Sequence, residues 1–149
     1  MDEDAAGRDF AAGYDAFARD DYAAAHAAWE PLAAAGMAKA QFYLGYLHQC
    51  GHGTAQDYHR ARDYYRMAAE QGDAGAQYAL GNLFYFGQGT AKDRAEAAKW
   101  FGMAAVQGHR DAQDNLDDIR ADGAAKDDTG PGTGHDTGPG TGRDTKSDA

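Results

Sequence analysis

With 149 residues, 43% of them hydrophobic, the chain is long enough for one domain with a buried core. Its 14 basic and 24 acidic residues leave a formal charge of −10, a balance that repels nucleic-acid phosphates and anionic lipid headgroups. A lone cysteine, Cys50, excludes an internal disulfide framework, and no stretch approaches the ~20 apolar residues of a membrane span.

The start, Met1-Asp2-Glu3-Asp4, is acidic where an export signal is basic and then apolar. The chain as written is therefore expected in the cytoplasm, and in the periplasm or medium if a leading segment is missing. Residues 1–8 read as an extension. From residue 9 to about 36, Gly13, Asp21, Ala25, Trp29 and Gly36 outline a first pair of helices. Pro31 falls inside the second of these, expected over 22–35, and should bend it.

Residues 38–73 then overlay residues 74–109 at a spacing of thirty-six. Ala40, Gln41, Leu44, Gly45, Leu47, Gly51, Gly53, Thr54, Asp57, Ala61, Ala68, Gln71 and Gly72 recur as Ala76, Gln77, Leu80, Gly81, Leu83, Gly87, Gly89, Thr90, Asp93, Ala97, Ala104, Gln107 and Gly108. Ala40, Leu44 and Leu47 stand at i, i+4 and i+7, an apolar stripe on a first helix; Ala61, Tyr65 and Ala68 mark the second. Between them Gly51 and Gly53, like Gly87 and Gly89, suit the left-handed backbone that ends a helix. Asp57 and Asp93 are predicted N-caps, Asp93 with Glu96 forming a capping box, and the second helices are predicted to stop at Gly72 and Gly108. Gly45 and Gly81 sit inside helices at a cost of about 1 kcal/mol, which predicts a close helix-helix contact. Units of about 37–72 and 73–108 follow the irregular first one, whose inter-helix loop is four residues shorter.

Residues 109–121 repeat only a first helix, with Ala112, Leu116 and Ile119 inward and Asp111, Asp114, Asp117 and Asp118 elsewhere, the polar cap a solenoid end needs. Residues 122–149 contain Thr129-Gly130-Pro131-Gly132-Thr133-Gly134-His135-Asp136 and the octad again with Arg143 last but one. Such a composition buries nothing and is expected to be a disordered tail. The predicted fold is all-α: a right-handed superhelix of about three helix-turn-helix repeats and a capping helix.

If the first helices line the concave side, three rungs face the groove. They are Ala11, Tyr43, Ala79 and Asn115; Tyr14, Tyr46, Asn82 and Asp118; and Ala18, Cys50, Phe86 and Asp122. Tyr14, Tyr43, Tyr46 and Phe86 supply the stiff contact area of binding hot spots, and Asn82, Asn115 and Asp118 a polar end. An extended peptide, apolar at one end and basic at the other, fits that gradient. The rival centre is His48, Cys50 and His52 with His59 nearby, soft ligands for a metal or a Cys–His nucleophile. Their equivalents Phe84, Phe86, Gln88 and Ala95 have no such chemistry, so packing is the preferred reading. The only serine, Ser147, stands near the end, and the double-glycine loops lack a Walker lysine. Arg60, Arg62 and Arg66 read as an outer face partly paired with Asp63.

The run Ala76-Gln77-Tyr78-Ala79-Leu80-Gly81 through Gly87-Gln88-Gly89-Thr90, Asp93, Ala97, Trp100-Phe101 and Ala104-Ala105 to Gly108 resembles the Sel-1-like repeat, a longer-looped relative of the tetratricopeptide repeat. Its twin beginning at Ala40 does the same, and the first unit is nearer a tetratricopeptide repeat. The resemblance implies an adaptor or scaffold, in bacteria often tied to envelope, stress or host-interaction functions. Some relatives carry a cysteine pair per repeat and bind or hydrolyse β-lactams; Ala69 and Ala105 stand where those cysteines would. The expected function is thus a monomeric protein- or peptide-binding adaptor, not an enzyme, with no cofactor, metal, nucleic acid or membrane insertion. An enzyme or metal-handling protein centred on Cys50, His48 and His52 is the alternative, and a subunit of a larger envelope assembly a third reading.

Overall fold

The computed structural model describes residues 2–129, with side chains described through residue 124. Seven helices follow one another among the described residues: α1 Glu3–Ala18, α2 Tyr22–Ala34, α3 Ala38–Cys50, α4 Tyr58–Glu70, α5 Ala74–Phe86, α6 Arg94–Val106 and α7 Arg110–Thr129. Each packs along the next, giving three helical hairpins and a closing helix, an all-α repeat solenoid. None of them is long and apolar enough to cross a membrane.

The hairpins are closed by one recurring contact. A glycine in the first helix lets an aromatic ring of the second lie against bare backbone. A Cβ at Gly45 would stand 2.7 Å from the Tyr65 ring, one at Gly81 2.7 Å from Phe101, and one at Gly13 2.7 Å from Trp29 Cδ1. Trp29, Tyr65 and Phe101 are buried at those places, and the polar edges of the first two are satisfied differently. Trp29 Nε1 donates to the Phe10 carbonyl at 3.1 Å, and the Tyr65 hydroxyl donates to Gln49 Oε1 at 2.6 Å. Phe101 has no polar edge, and Tyr85 replaces Gln49 beside it, with ring centroids 6.4 Å apart.

Helix ends follow the sequence closely. Gly51 and Gly87 take φ of 74° and 72°, and the next amides, of His52 and Gln88, return to the Leu47 and Leu83 carbonyls. Asp57 accepts from the His59 and Arg60 amides; the Arg60 bond first among them holds its carboxyl below the usual range. Asp93 accepts from the Glu96 amide, but the capping box is only half made. The Asp93 amide donates to the Phe84 carbonyl, and Glu96 turns its carboxylate to Trp100 Nε1 and Lys99. Helices α4 and α6 end at Glu70 and Val106, with Gly72 and Gly108 two residues on at φ of 99° and 94°. Helix α2 continues unbroken through Pro31 and stops three residues later.

Repeat is joined to repeat by glutamines. Gln41 and Gln77 are buried, their Nε2 atoms donating to the last-turn carbonyls of Ala33 and Ala69. Their Oε1 atoms accept from Gln71 and Gln107 at 2.8 and 3.0 Å. Each of these helix-end carbonyls also accepts a backbone amide, from Gly36 and Gly72, so the glutamine adds a second bond in the interior.

Both termini depart from the sequence reading. Helix α1 begins at Glu3, capped by Asp2, where residues 1–8 read as an extension, and Ala6 packs on the core. Helix α7 runs on to Thr129, past the expected boundary at 121. Ala112 and Leu116 are buried and Ile119 packs beside them, and Asp122 Oδ2 meets Arg94 Nη2 at 2.6 Å, tying α7 to α6. Residues 130–149, where the tail is expected to be disordered, lie outside the described residues.

Candidate partner-binding surface

Helices α1, α2 and α3 gather a continuous set of aromatic rings. Tyr43 lies on Trp29 with centroids 5.0 Å apart, and is flanked by Phe10, Tyr14 and Phe17 at 5.8 to 5.9 Å. Burial first of all raises its hydroxyl pKa. Tyr43 is therefore largely a spacer between the first two hairpins. Phe17 bridges Tyr22, Trp29 and Tyr46 at 5.6 to 6.0 Å, and Tyr22 stacks on His52 at 4.4 Å. Two rings of this set stand out: Tyr14 is 46% exposed and Tyr46 38%. The Cys50 thiol, hydrogen-bonded to the Tyr46 hydroxyl, raises that hydroxyl's pKa.

Towards α7 the surface turns polar. Asn115 Nδ2 donates to Asn82 Oδ1 at 3.3 Å, and Asp118 is half-buried on α7. Phe86 is half-buried with its ring edge-on to Tyr85 at 4.8 Å. Asp122 is occupied by Arg94, which also lies over the Tyr85 ring at 4.9 Å. The straight rungs expected from the alignment are staggered: Tyr14 meets Tyr43, and Asn82 meets Asn115. In both, one unit's second groove position touches the next unit's first.

The other candidates disperse. His48 is buried, stacked on Tyr64 at 5.6 Å and edge-on to His26 at 5.4 Å, while exposed Cys50 turns to Tyr46 and His52 to Tyr22. Among the described residues no three His, Cys, Asp or Glu side chains gather as a metal ion would need. Of the three arginines placed on an outer face, only Arg60 is mostly in solvent, its Nε 4.0 Å from Asp57. Arg62 pairs with Asp63 but also donates to the Gly89 carbonyl at 2.8 Å, and Arg66 lies over Phe84. Both reach the next repeat, which corrects the solvated reading. Sequence reasoning missed Phe17 and the Tyr22–His52 stack; the signal available was a run of aromatics in a unit whose loop is too short to space them.

The Sel1 repeat family model matches residues 38–73 and 74–109. Among solved structures, the chain is similar to c5321, a protective antigen of uropathogenic Escherichia coli with an SLR fold. The two are 26% identical at a TM-score of 0.77, over 79% of this chain and 26% of that one. It is also similar to a Sel1 repeat protein from Oxalobacter formigenes, 32% identical at a TM-score of 0.74, over 76% of this chain and 47% of that one. The chain thus spans less than half the length of either. A search of curated proteins finds no match. Two matched repeats, the glycine-aromatic hairpins they build and the likeness to both solved solenoids identify residues 38–109 as a pair of Sel1 repeats within a solenoid of the same fold.

Proposed function

We propose that the chain is a protein-binding scaffold that holds a polypeptide across the face built by α1, α3, α5 and α7, with Tyr14 and Tyr46 as anchors. Sel1 repeats are generally protein-protein interaction scaffolds. The observation that carries the reading is the exposure of these two tyrosines on a ring cluster that is otherwise buried or half-buried. Rings held from behind lose little freedom on binding, and each offers a polar tip beside an apolar face. Asn82, Asn115 and Asp118 continue the face towards α7, and the formal charge of −10 favours a partner basic at that end.

The test is calorimetry on the full chain with a partner identified by affinity capture. Replacing Tyr14 and Tyr46 with alanine is expected to weaken binding by roughly thirtyfold or more, the loss of a hot spot. Replacing Met67 and Met103, 42% exposed at equivalent places on α4 and α6, is expected to change it little. Loss with the methionine pair and retention with the tyrosine pair puts the partner on the second helices instead.

A further inference from the structure

One repeat fills a place that the preceding one leaves open. The Gly87–Thr90 loop crosses the start of α4 so closely that a Cβ at Gly89 would stand 2.6 Å from the Tyr58 carbonyl carbon. One turn along α4, Arg62 Nη1 donates to the Gly89 carbonyl at 2.8 Å, and Arg66 lies 5.8 Å from the centre of the Phe84 ring. The Gly51–Thr54 loop crosses the start of α2 in the same way, a Cβ at Gly53 meeting Tyr22 at 2.8 Å. Thirty-six residues before Arg62, Arg66 and Phe84, however, stand His26, Glu30 and His48. None carries a guanidinium. Beside His26 and the Thr54 that follows Gly53 there is instead an open cleft of about 360 Å³, lined also by His48, Ala55, Asp57 and Arg60.

His48 makes this more than a packing gap. Only 4% exposed, it has no hydrogen-bond partner at Nδ1 or Nε2, a state that destabilises a buried polar group. Phe84, 7% exposed at the equivalent place, shows that packing needs only a ring there. Burial first, then His26 and Arg60, hold the His48 pKa below its ordinary value, so the neutral imidazole keeps a lone pair to accept with. Asp57 and Glu30 bring negative charge to its surroundings, opposed by His26 and by Arg60, whose side chain is 64% exposed.

We infer that this cleft takes the guanidinium of an arginine side chain from a partner polypeptide, seated where Arg62 sits one repeat on and donating to the Gly53 carbonyl and the His48 ring. The site is separate from the tyrosine face and stands whether or not that face binds. A planar fork with five donors suits a carbonyl, an imidazole nitrogen and a nearby carboxylate better than a lysine ammonium does.

The probe is acetyl-Gly-Arg-Gly-amide, titrated into the full chain while the histidine imidazoles are followed by NMR. Its counterpart with citrulline, neutral and of the same shape, is the comparison. The arginine peptide is expected to shift the His26 and His48 signals saturably and the citrulline peptide to leave them in place. His26→Arg, which plants a guanidinium as Arg62 does, should abolish the response at His48. His48→Phe, a residue the next repeat already accepts, should weaken the peptide about tenfold on the His26 signal, the loss of one charge-assisted hydrogen bond. The Tyr14→Ala, Tyr46→Ala protein should bind the peptide like the parent. No saturable shift, equal response to citrulline, or His48→Phe binding like the parent overturns the assignment.

Discussion

What faces a helical glycine decides the sign of its replacement, and this chain holds the contrast within one hairpin. Gly81 in α5 has the Phe101 ring where a Cβ would go, at 2.7 Å, and that ring is fully buried and cannot retreat. Gly102 in α6 has nothing nearer than Leu116 Cδ2 at 3.9 Å. Gly102→Ala is therefore expected to stabilise by up to ~1 kcal/mol through helix propensity. Gly81→Ala should lose ~1–3 kcal/mol to overpacking despite the same propensity gain. Thermal melts followed by circular dichroism check this: Gly81→Ala should lower Tm by about 4 °C or more and Gly102→Ala should raise it. Equal shifts would mean that Phe101 does not lie on Gly81. The close contact at Gly45 and Gly81 was legible in sequence because both glycines stand in strongly periodic helices, where only packing repays their cost. The ring that fills each gap was legible as a repeated aromatic, not as the glycine's own partner.

Between elements, the glutamine ladder sets the stacking of hairpins. Buried Gln77 donates to the Ala69 carbonyl and accepts from Gln107, so Gln77→Ala removes two hydrogen bonds and leaves a void, and should cost about 1–3 kcal/mol. Gln113 holds the same position in α7 but is exposed and donates to Asp117, and its change to alanine should stay within about 0.5 kcal/mol. Urea unfolding of the two variants separates them; matching midpoints would show that the ladder carries no stability. Gln41 and Gln77, like Gln71 and Gln107, recur at thirty-six residues, yet the bonded pairs lie 30 residues apart. An overlay at the repeat spacing compares equivalent residues and never those that touch. Helix α7 was underestimated for a related reason: no large apolar side chain follows Ile119, and the ion pair of Asp122 with Arg94, two partly buried groups, arises only once α6 is in place.

At the scale of the molecule, equivalence of position is what sequence carries, and the offset between units is what it does not. The three hairpins, their caps and the shortened first loop all follow from local chemistry. The stagger that sets Tyr14 against Tyr43 depends on the angle between successive hairpins, which no residue encodes alone. The exchange of Arg62 for His26 was visible as two letters, and became a cleft only because the Gly53 loop lies over Tyr22 as the Gly89 loop lies over Tyr58. With the hairpins in place, the face of the first helices offers Tyr14 and Tyr46 at one end and Asn82, Asn115 and Asp118 towards the other. Site-specific photo-crosslinking in cells tests that face most directly, with a benzoyl-phenylalanine placed at position 46 in one protein and at position 67 in another. The account predicts a partner adduct from position 46 and none from position 67; an adduct from position 67 with none from position 46 would contradict it.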